Sequence, residues 1–224
     1  MSKQLIFDLP RQVSLVHDDY FVSEANAHAY ALVMAPDDWP NGKLALHGSK
    51  GSGKTHLARV FAQETGAEIL SAAAITPSTL LSEASHLVIE DLEELPHQSE
   101  EALFHIHNDL SHRNGRLLLT AATPPSQWAV KLPDLASRLQ ATSSVSITDP
   151  DDQLLSAVLM KLFEDRQISV DIRLVSFLAH RIERSFEAAQ KIVAELDSEA
   201  LARKRKINRA LAAELLDQRS DQLP

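Results

Sequence analysis

The run Gly48-Ser49-Lys50-Gly51-Ser52-Gly53-Lys54-Thr55 fits the pattern G-x-x-x-x-G-K-[ST]. Residues 43–47 (KLALH) before it are short and apolar, as a buried strand is, and residues 55–65 after it read as a helix that Gly66 ends. A chain that runs strand, glycine turn and helix in that order is committed to an α/β architecture. The residue types also carry chemistry. Gly51 and Gly53 let the backbone turn its N–H groups inward around an anion, and the helix N-terminus adds partial positive charge. Lys54 is then positioned for β- and γ-phosphates, and the Thr55 hydroxyl for Mg²⁺. Gly48, Ser49, Gly51, Ser52, Gly53, Lys54, Thr55 and His56 are therefore candidate cofactor-binding residues for a nucleoside di- or triphosphate, with Thr55 also a candidate metal ligand.

The rest of the chain alternates in the same way. Residues 68–70, 86–89 (HLVI), 116–120 (RLLLT) and 144–147 (SVSI) read as further strands. Residues 99–114 carry Leu103, Ile106 and Leu110 at helical spacing, with Gly115 as a stop. Strands alternating with helices imply parallel crossovers, so a parallel five-stranded sheet between helices is expected. Near Thr148-Asp149-Pro150 the pattern changes, and only helical stretches follow, near 151–165, 171–183, 185–203 and 208–217. Pro150 stands at an N1-like place with carboxylates about the positive helix end. The expected division is a peptide at 1–12, a nucleotide-binding α/β domain at 13–148 and a small all-helical lid domain at 149–224.

Composition narrows the function classes. A chain of 224 residues with 44% hydrophobic content can bury a sizeable core. Its 31 acidic and 22 basic residues give a net charge of −9, a poor balance for neutralising phosphates at large, so no strong direct DNA binding is expected. The lack of cysteine excludes disulfides, thiolate catalysis and cysteine–zinc sites. No window has the length of a membrane span and the start lacks signal-peptide anatomy, which points to a cytoplasmic protein with no membrane partner. The ten histidines show no H-x-x-x-H spacing with a carboxylate partner, and His105 and His107, two apart on an expected helix, point to different faces. Arg203-Lys204-Arg205-Lys206 reads as a solvated helix end that suits the dipole, and Trp39 and Trp128 as packing residues.

Leu87-Val88-Ile89-Glu90-Asp91 resembles a Walker B strand, in which an apolar run delivers one acid to the metal and a second to the attacking water. Glu90 is thus a candidate Mg²⁺ ligand and Asp91 a candidate catalytic residue. The usual first acid is Asp. Glu90 is one methylene longer, so weak intrinsic ATP hydrolysis is expected. A solvated acidic loop of Glu90, Asp91, Glu93 and Glu94 is the alternative.

Residues 116–125 (RLLLTAATPP), followed by 132–139 (LPDLASRL), resemble the sensor 1 region and box VII of the DnaA replication-initiator family of AAA+ proteins, and within it the shortened Hda homologues that regulate the initiator. The resemblance runs from Gln4 to about Leu216 and implies an AAA+ P-loop NTPase fold with ADP or ATP and Mg²⁺ as cofactors. It makes Arg138 the trans-acting arginine finger, aimed from one subunit at the γ-phosphate held by its neighbour; a surface residue on a short helix is the alternative. Gln4-Leu5-Ile6-Phe7-Asp8-Leu9-Pro10 resembles the clamp-binding motif at the front of Hda proteins. That implies the DNA polymerase III sliding clamp (beta subunit) as partner, with Gln4, Leu5, Phe7 and Leu9 as anchors; an arm packed on its own domain is the alternative. Asp19-Tyr20-Phe21-Val22 resembles the initiator segment that packs on adenine, which makes Phe21 and Val22 base-pocket candidates, or else plain core residues.

Three positions depart from that family. Glu90 replaces the metal-binding Asp. Ala122-Thr123 replace the Asp-Arg pair before the two prolines of sensor 1, leaving Thr120 as the nearest polar side chain. Residues 182–196 (IERSFEAAQKIVAEL) resemble the sensor 2 helix, but Glu187 stands where its Arg aligns, with Arg184 the nearest cation. Loss of that cation predicts a preference for ADP over ATP.

The leading functional reading is a regulator that binds ADP, docks on the DNA-loaded clamp and offers Arg138 to ATP held by the DnaA initiator, so that re-initiation is prevented. A homodimer is a further partner reading. An autonomous ATPase, such as a helicase loader or an initiator, is the second class. A complete initiator would carry a helix-turn-helix domain after the lid, and a chain of 224 residues is not expected to read an origin directly. A small phosphotransferase, the third class, would need clustered lid arginines that residues 150–216 do not supply.

Overall fold

Five short apolar runs, each flanked by turn or helix signals, pair into one sheet. In the computed structural model, which describes residues 20–79 and 84–220, they are β1 (Lys43–Gly48), β2 (Glu68–Ser71), β3 (His86–Glu90), β4 (Arg116–Ala121) and β5 (Ser143–Ile147). All pairs are parallel, in the order β2-β3-β4-β1-β5. Parallel neighbours require crossovers, which include α2 (Lys54–Thr65), α3 (Glu100–His112) and α4 (Pro133–Gln140), and α1 (Ala27–Val33) packs on the sheet ahead of β1.

Side chains alternate across a strand, so each strand feeds two cores. Leu44, Leu46, Val88, Leu118 and Val145 pack with Val33, Leu57, Ala58 and Phe61 of α1 and α2. Leu87, Ile89, Leu117, Leu119 and Ala121 pack on the other face with Leu103, Ile106 and Leu110 of α3 and Leu135 and Leu139 of α4. Both tryptophans pack as expected. Trp39 stacks on Phe61 at 5.2 Å between centroids and donates its indole N–H to the Leu32 carbonyl at 2.7 Å. Trp128 donates to the Thr123 carbonyl at 2.8 Å.

After β5 the described chain is helical: α5 (Asp152–Glu164), α6 (Ile172–Ala179), α7 (Phe186–Arg203) and α8 (Arg209–Ser220). Side-chain caps start all four. Asp151 accepts from the Leu154 amide at 2.7 Å, Asp171 from Arg173 at 2.8 Å, Ser185 from Ala188 at 3.1 Å and Asn208 from Leu211 at 3.0 Å, each contributing about 1 kcal/mol. These helices enclose their own core of Leu155, Leu159, Phe163, Leu178, Ile192 and Leu196. Leu154 and Phe186 point the other way, into the core shared by β1 and α2, and so fasten the lid to the body.

The strands, α2, α3, α5 and α7 fall where the sequence predicts, within a residue or two at their ends; α6 stops at Ala179, four residues short of the expected 183, and α8 runs to Ser220, three past the expected 217. The sequence pattern marks no helix over α1, and over α4 only a motif with a short helix as the alternative. Both are short, and α4 depends on a contact from far along the chain. Glu100, 4% exposed, accepts hydrogen bonds from the Leu132 amide (2.6 Å), the Lys131 amide (3.0 Å) and His97 Nδ1 (2.8 Å). The carboxylate thereby holds the segment that enters α4. Burial pushes its pKa up, but the bonds from His97 and the two amides outweigh it and hold the carboxyl below its usual range.

Glu100→Ala leaves two part-buried amides without their acceptor, so a loss of about 2 kcal/mol at pH 7 is expected in chemical denaturation. The group's folded-state pKa is depressed, so its stabilisation is fully present above the unfolded value of about 4.3 and fades as pH falls through the lower folded value. The gap between wild type and variant is therefore expected to shrink below about pH 4. A gap that persists unchanged at pH 3 contradicts the role given to the ionised carboxylate.

Candidate nucleotide site

The loop between β1 and α2 needs its glycines. Gly51 and Gly53 have φ of +81° and +93°, where L side chains are strained. A Cβ on Gly51 would also strike the side-chain amide of Gln190. Lys54, 9% exposed, folds its ammonium back to donate to the carbonyls of Gly48 at 2.8 Å and Ser49 at 3.1 Å. Burial lowers its pKa, and the facing charges of Glu93 and Asp91 partly restore it. Ser52 is buried with its hydroxyl unpartnered. Thr55 sits half-buried in the first turn of α2.

The sheet order brings the acids to the same edge. β4 lies between β1 and β3, so the loop and the acidic strand end are two strand spacings, about 10 Å, apart. Glu90 closes β3 with Oε1 buried and without a hydrogen-bond partner. Asp91 turns away in the left-handed region at φ +55°, and its amide donates to the fully buried Thr120 hydroxyl at 3.2 Å. Glu93 accepts from the Ala122 amide at 3.0 Å. Thr120 and Glu93 thus hold the acidic loop. An orphaned carboxylate oxygen at the strand end, across from a threonine hydroxyl, is a donor set that fits Mg²⁺.

Beside the loop lies a cavity of about 270 Å³, lined by the loop, the segment before α1, α5 and α7. Phe21 and His56 line it as candidates from sequence, and Tyr20 and Asn26 join them. Val22 packs instead against the body core, outside the lining. Tyr20 sets the wall: it stacks on Tyr30 at 5.9 Å and meets the His56 ring edge-on at 5.2 Å, and burial pushes its phenol pKa up. From the lid, Phe186 lines the cavity and Gln190 lies over Gly51. Arg184 does not line it; its guanidinium is paired with Asp152 at 2.9 Å. Glu187 is exposed on α7.

Arg138 lies elsewhere. It is exposed on α4, with its guanidinium 5.3 Å from the centre of the Phe104 ring, and shares a cavity wall with Lys43 at the start of β1. The six residues of β1 put the two ends of that strand about 17 Å apart. Gln4, Leu5, Phe7 and Leu9 lie outside the described residues.

No family model matches the chain. In sequence it is 22% identical over 225 residues to the chromosomal replication initiator protein DnaA of Cutibacterium acnes, a match over 89% of this chain that spans 45% of that relative's length. In structure it resembles domain III of the Thermotoga maritima replication initiation protein DnaA, with a TM-score of 0.70 at 17% identity, covering 89% of this chain and 94% of that one. It also resembles AMPPCP-bound DnaA from Aquifex aeolicus, with a TM-score of 0.63 at 17% identity, over 80% of this chain and 63% of that one. The fold is that of AAA+ P-loop NTPases, a parallel five-stranded sheet between helices followed by C-terminal helices. No helix among the described residues is long and apolar enough to cross a membrane.

Gly51→Ala is expected to weaken ADP binding about tenfold by calorimetry, through left-handed strain of about 1–2 kcal/mol and displacement of Gln190. Gly66→Ala carries similar backbone strain at φ +70° but meets nothing within 4 Å, and is expected to bind normally. Equal losses in both variants would assign the effect to stability and not to the site.

Proposed function

We propose that the protein is an adenine-nucleotide-binding regulator of chromosomal replication initiation, which stimulates hydrolysis of ATP held by a DnaA-type initiator. The observation that carries this reading is the separation of Arg138 from the chain's own phosphate loop, at opposite ends of β1. An exposed guanidinium on that edge is out of reach of a nucleotide at Lys54 and available to one held by another subunit. The resemblance of residues 132–139 to box VII supports the same role.

In this reading the loop amides and Lys54 bind the phosphates, and Phe21, Tyr20, His56 and Phe186 enclose the base. Thr55 and Glu90 are the residues that would hold Mg²⁺, which when bound supplies charge neutralisation at the phosphates. Asp91, with its backbone fixed by Thr120, orients water. Arg138 stabilises charge that develops on the initiator's γ-phosphate, and Gln4, Leu5, Phe7 and Leu9 tether the chain to the sliding clamp. The lid reaches the loop through the neutral amide of Gln190, with Arg184 held by Asp152. That arrangement supports ADP over ATP as the resident nucleotide.

A second reading, an autonomous DnaA-like ATPase, draws on one observation: Asp91 and Glu93 are near enough for their charges to raise the Lys54 pKa against the effect of burial. The two part in one assay. Labelled ATP on purified initiator, with clamp-loaded DNA, is expected to be hydrolysed faster when this protein is added. Arg138→Ala is expected to abolish the stimulation, a fall of about 10³-fold by analogy with other arginine fingers, and Gln4→Ala to abolish it only where the clamp is required. Turnover by the protein alone, independent of initiator and clamp, would sink the regulator.

Gln190→Arg adds a cation over the loop. It is expected to tighten ATP relative to ADP by about tenfold, the effect of one added charge-assisted contact of about 1.4 kcal/mol. Unchanged relative affinities would show that the lid does not set the preference.

A further inference from the structure

At the opposite edge of the sheet from the phosphate loop, the starts of β1 and β4 and the ends of α3 and α4 surround a cavity of about 630 Å³. Its floor depends on a close backbone approach: Gly42 has φ +69°, and a Cβ there would lie 2.6 Å from the Gly115 carbonyl oxygen. Twelve residues line the cavity and none is acidic, although the chain carries a net charge of −9. The charged lining residues are Lys43, Arg116 and Arg138, with His107 beside them.

Their commitments differ. Arg116 is engaged, donating to the Pro36 carbonyl at 2.7 Å, the Asn114 carbonyl at 2.8 Å and Asp37 at 3.0 Å. Lys43 is 4% exposed and donates to the Ser111 hydroxyl at 2.5 Å and the Asn41 carbonyl at 3.1 Å, which leaves the third donor of its ammonium. Arg138 lies over the Phe104 ring with no carboxylate partner among the described residues. His107 is also 4% exposed, and neither of its ring nitrogens has a hydrogen-bond partner. Burial, with the Arg138 charge, lowers the Lys43 pKa; burial, with the charges of Lys43 and Arg138, pulls His107 down to about 4. Two cations and a buried unpartnered imidazole therefore meet around one space without a counter-ion.

We propose that this cavity is a second anion site, distinct from the phosphate loop, which takes the phosphoryl group of a free small molecule. A phosphoryl dianion supplies what the lining lacks. It offers several acceptor oxygens to Lys43, Arg138 and the N–H of a neutral His107, and it neutralises two cations held close together. The volume exceeds that of a bare phosphate and lies in the range of small-molecule pockets, so the phosphoryl group arrives on a larger body. A bound ligand would also engage Arg138. Competition with the trans role rests on the function proposed above; the site itself does not.

The test uses full-length protein carrying Lys54→Ala, which disables the phosphate loop, titrated with inorganic pyrophosphate by calorimetry while sedimentation velocity follows the oligomeric state. The expected result is one site per chain with no change in sedimentation, weakened at least tenfold by Arg138→Ala and by Lys43→Met and unaffected by Arg173→Ala on the lid. Arg138 is exposed, so its variant keeps the fold and decides the matter if Lys43→Met does not. No binding overturns the proposal, as does binding that survives Arg138→Ala. Binding that appears only with self-association also overturns it, because the anion would then be held between copies. Neither initiator nor clamp is present, so the result is independent of the proposed function.

Discussion

Parallel pairing of all five strands is the constraint on which the rest depends. Parallel strands end on one edge and begin on the other, so the chain cannot bring a strand end and a strand start to the same site. The phosphate loop after β1, the acids after β3 and the Thr120 hydroxyl at the end of β4 share the first edge. Lys43, Arg116 and the glycines at 42 and 115 share the second. The order β2-β3-β4-β1-β5 then sets lateral distances: inserting β4 between the loop strand and the acidic strand puts a hydroxyl between Lys54 and Asp91. Each of those side chains is local in sequence, but their meeting is a property of the sheet.

The lid is the second determinant, and it acts through two residues one helical turn apart. Phe186 and Gln190 share a face of α7, the first buried in the body core and the second over Gly51. Docking of the lid and coverage of the loop are thus one event, and Leu154 of α5 adds to the same seam. Rotating α7 enough to lift Gln190 from the loop would expose Phe186, which is 1% exposed as it stands. Burying a phenylalanine contributes roughly 1.5–3 kcal/mol, so the closed arrangement is held by packing before any nucleotide contact is made.

Much of this was legible in the sequence, for reasons that particular residues make plain. The strands at 86–90 and 116–121 are apolar runs buried on both faces, and such runs announce themselves. The loop glycines are fixed by backbone geometry, whereas the sequence pattern does not mark Asp171 and Ser185 as caps, and Pro150 lies one residue before the Asp151 cap and not in the first turn of α5. What was hidden depended on side-chain direction. Of the neighbours Tyr20, Phe21 and Val22, the first two line the cavity and the third does not, because the path of an irregular segment decides which side chains turn inward. Glu187 is the position on α7 that aligns with the family's Arg, yet one residue off the Phe186–Gln190 face is about 100° of rotation, and it points to solvent. Arg184 was drawn to Asp152, a partner 32 residues away that no local pattern reveals. The helical spacing of His105 and His107 separates their faces but does not show that His107 is the buried one.

The two edges also differ in charge, and that difference bears on how such a chain can meet another. Glu90, Asp91 and Glu93 gather at the strand ends, and Lys43 and Arg138 at the strand starts. A molecule with unlike faces at its two ends is suited to head-to-tail contacts, in which the cationic edge of one subunit meets the nucleotide edge of the next. A symmetric dimer through either edge would instead set like charges against each other. Under the proposed function, the residues that would stabilise a shared nucleotide would be divided between two chains by the direction of the strands. Any ligand that occupies the space between Lys43 and Arg138 sits on the face that such a contact would use.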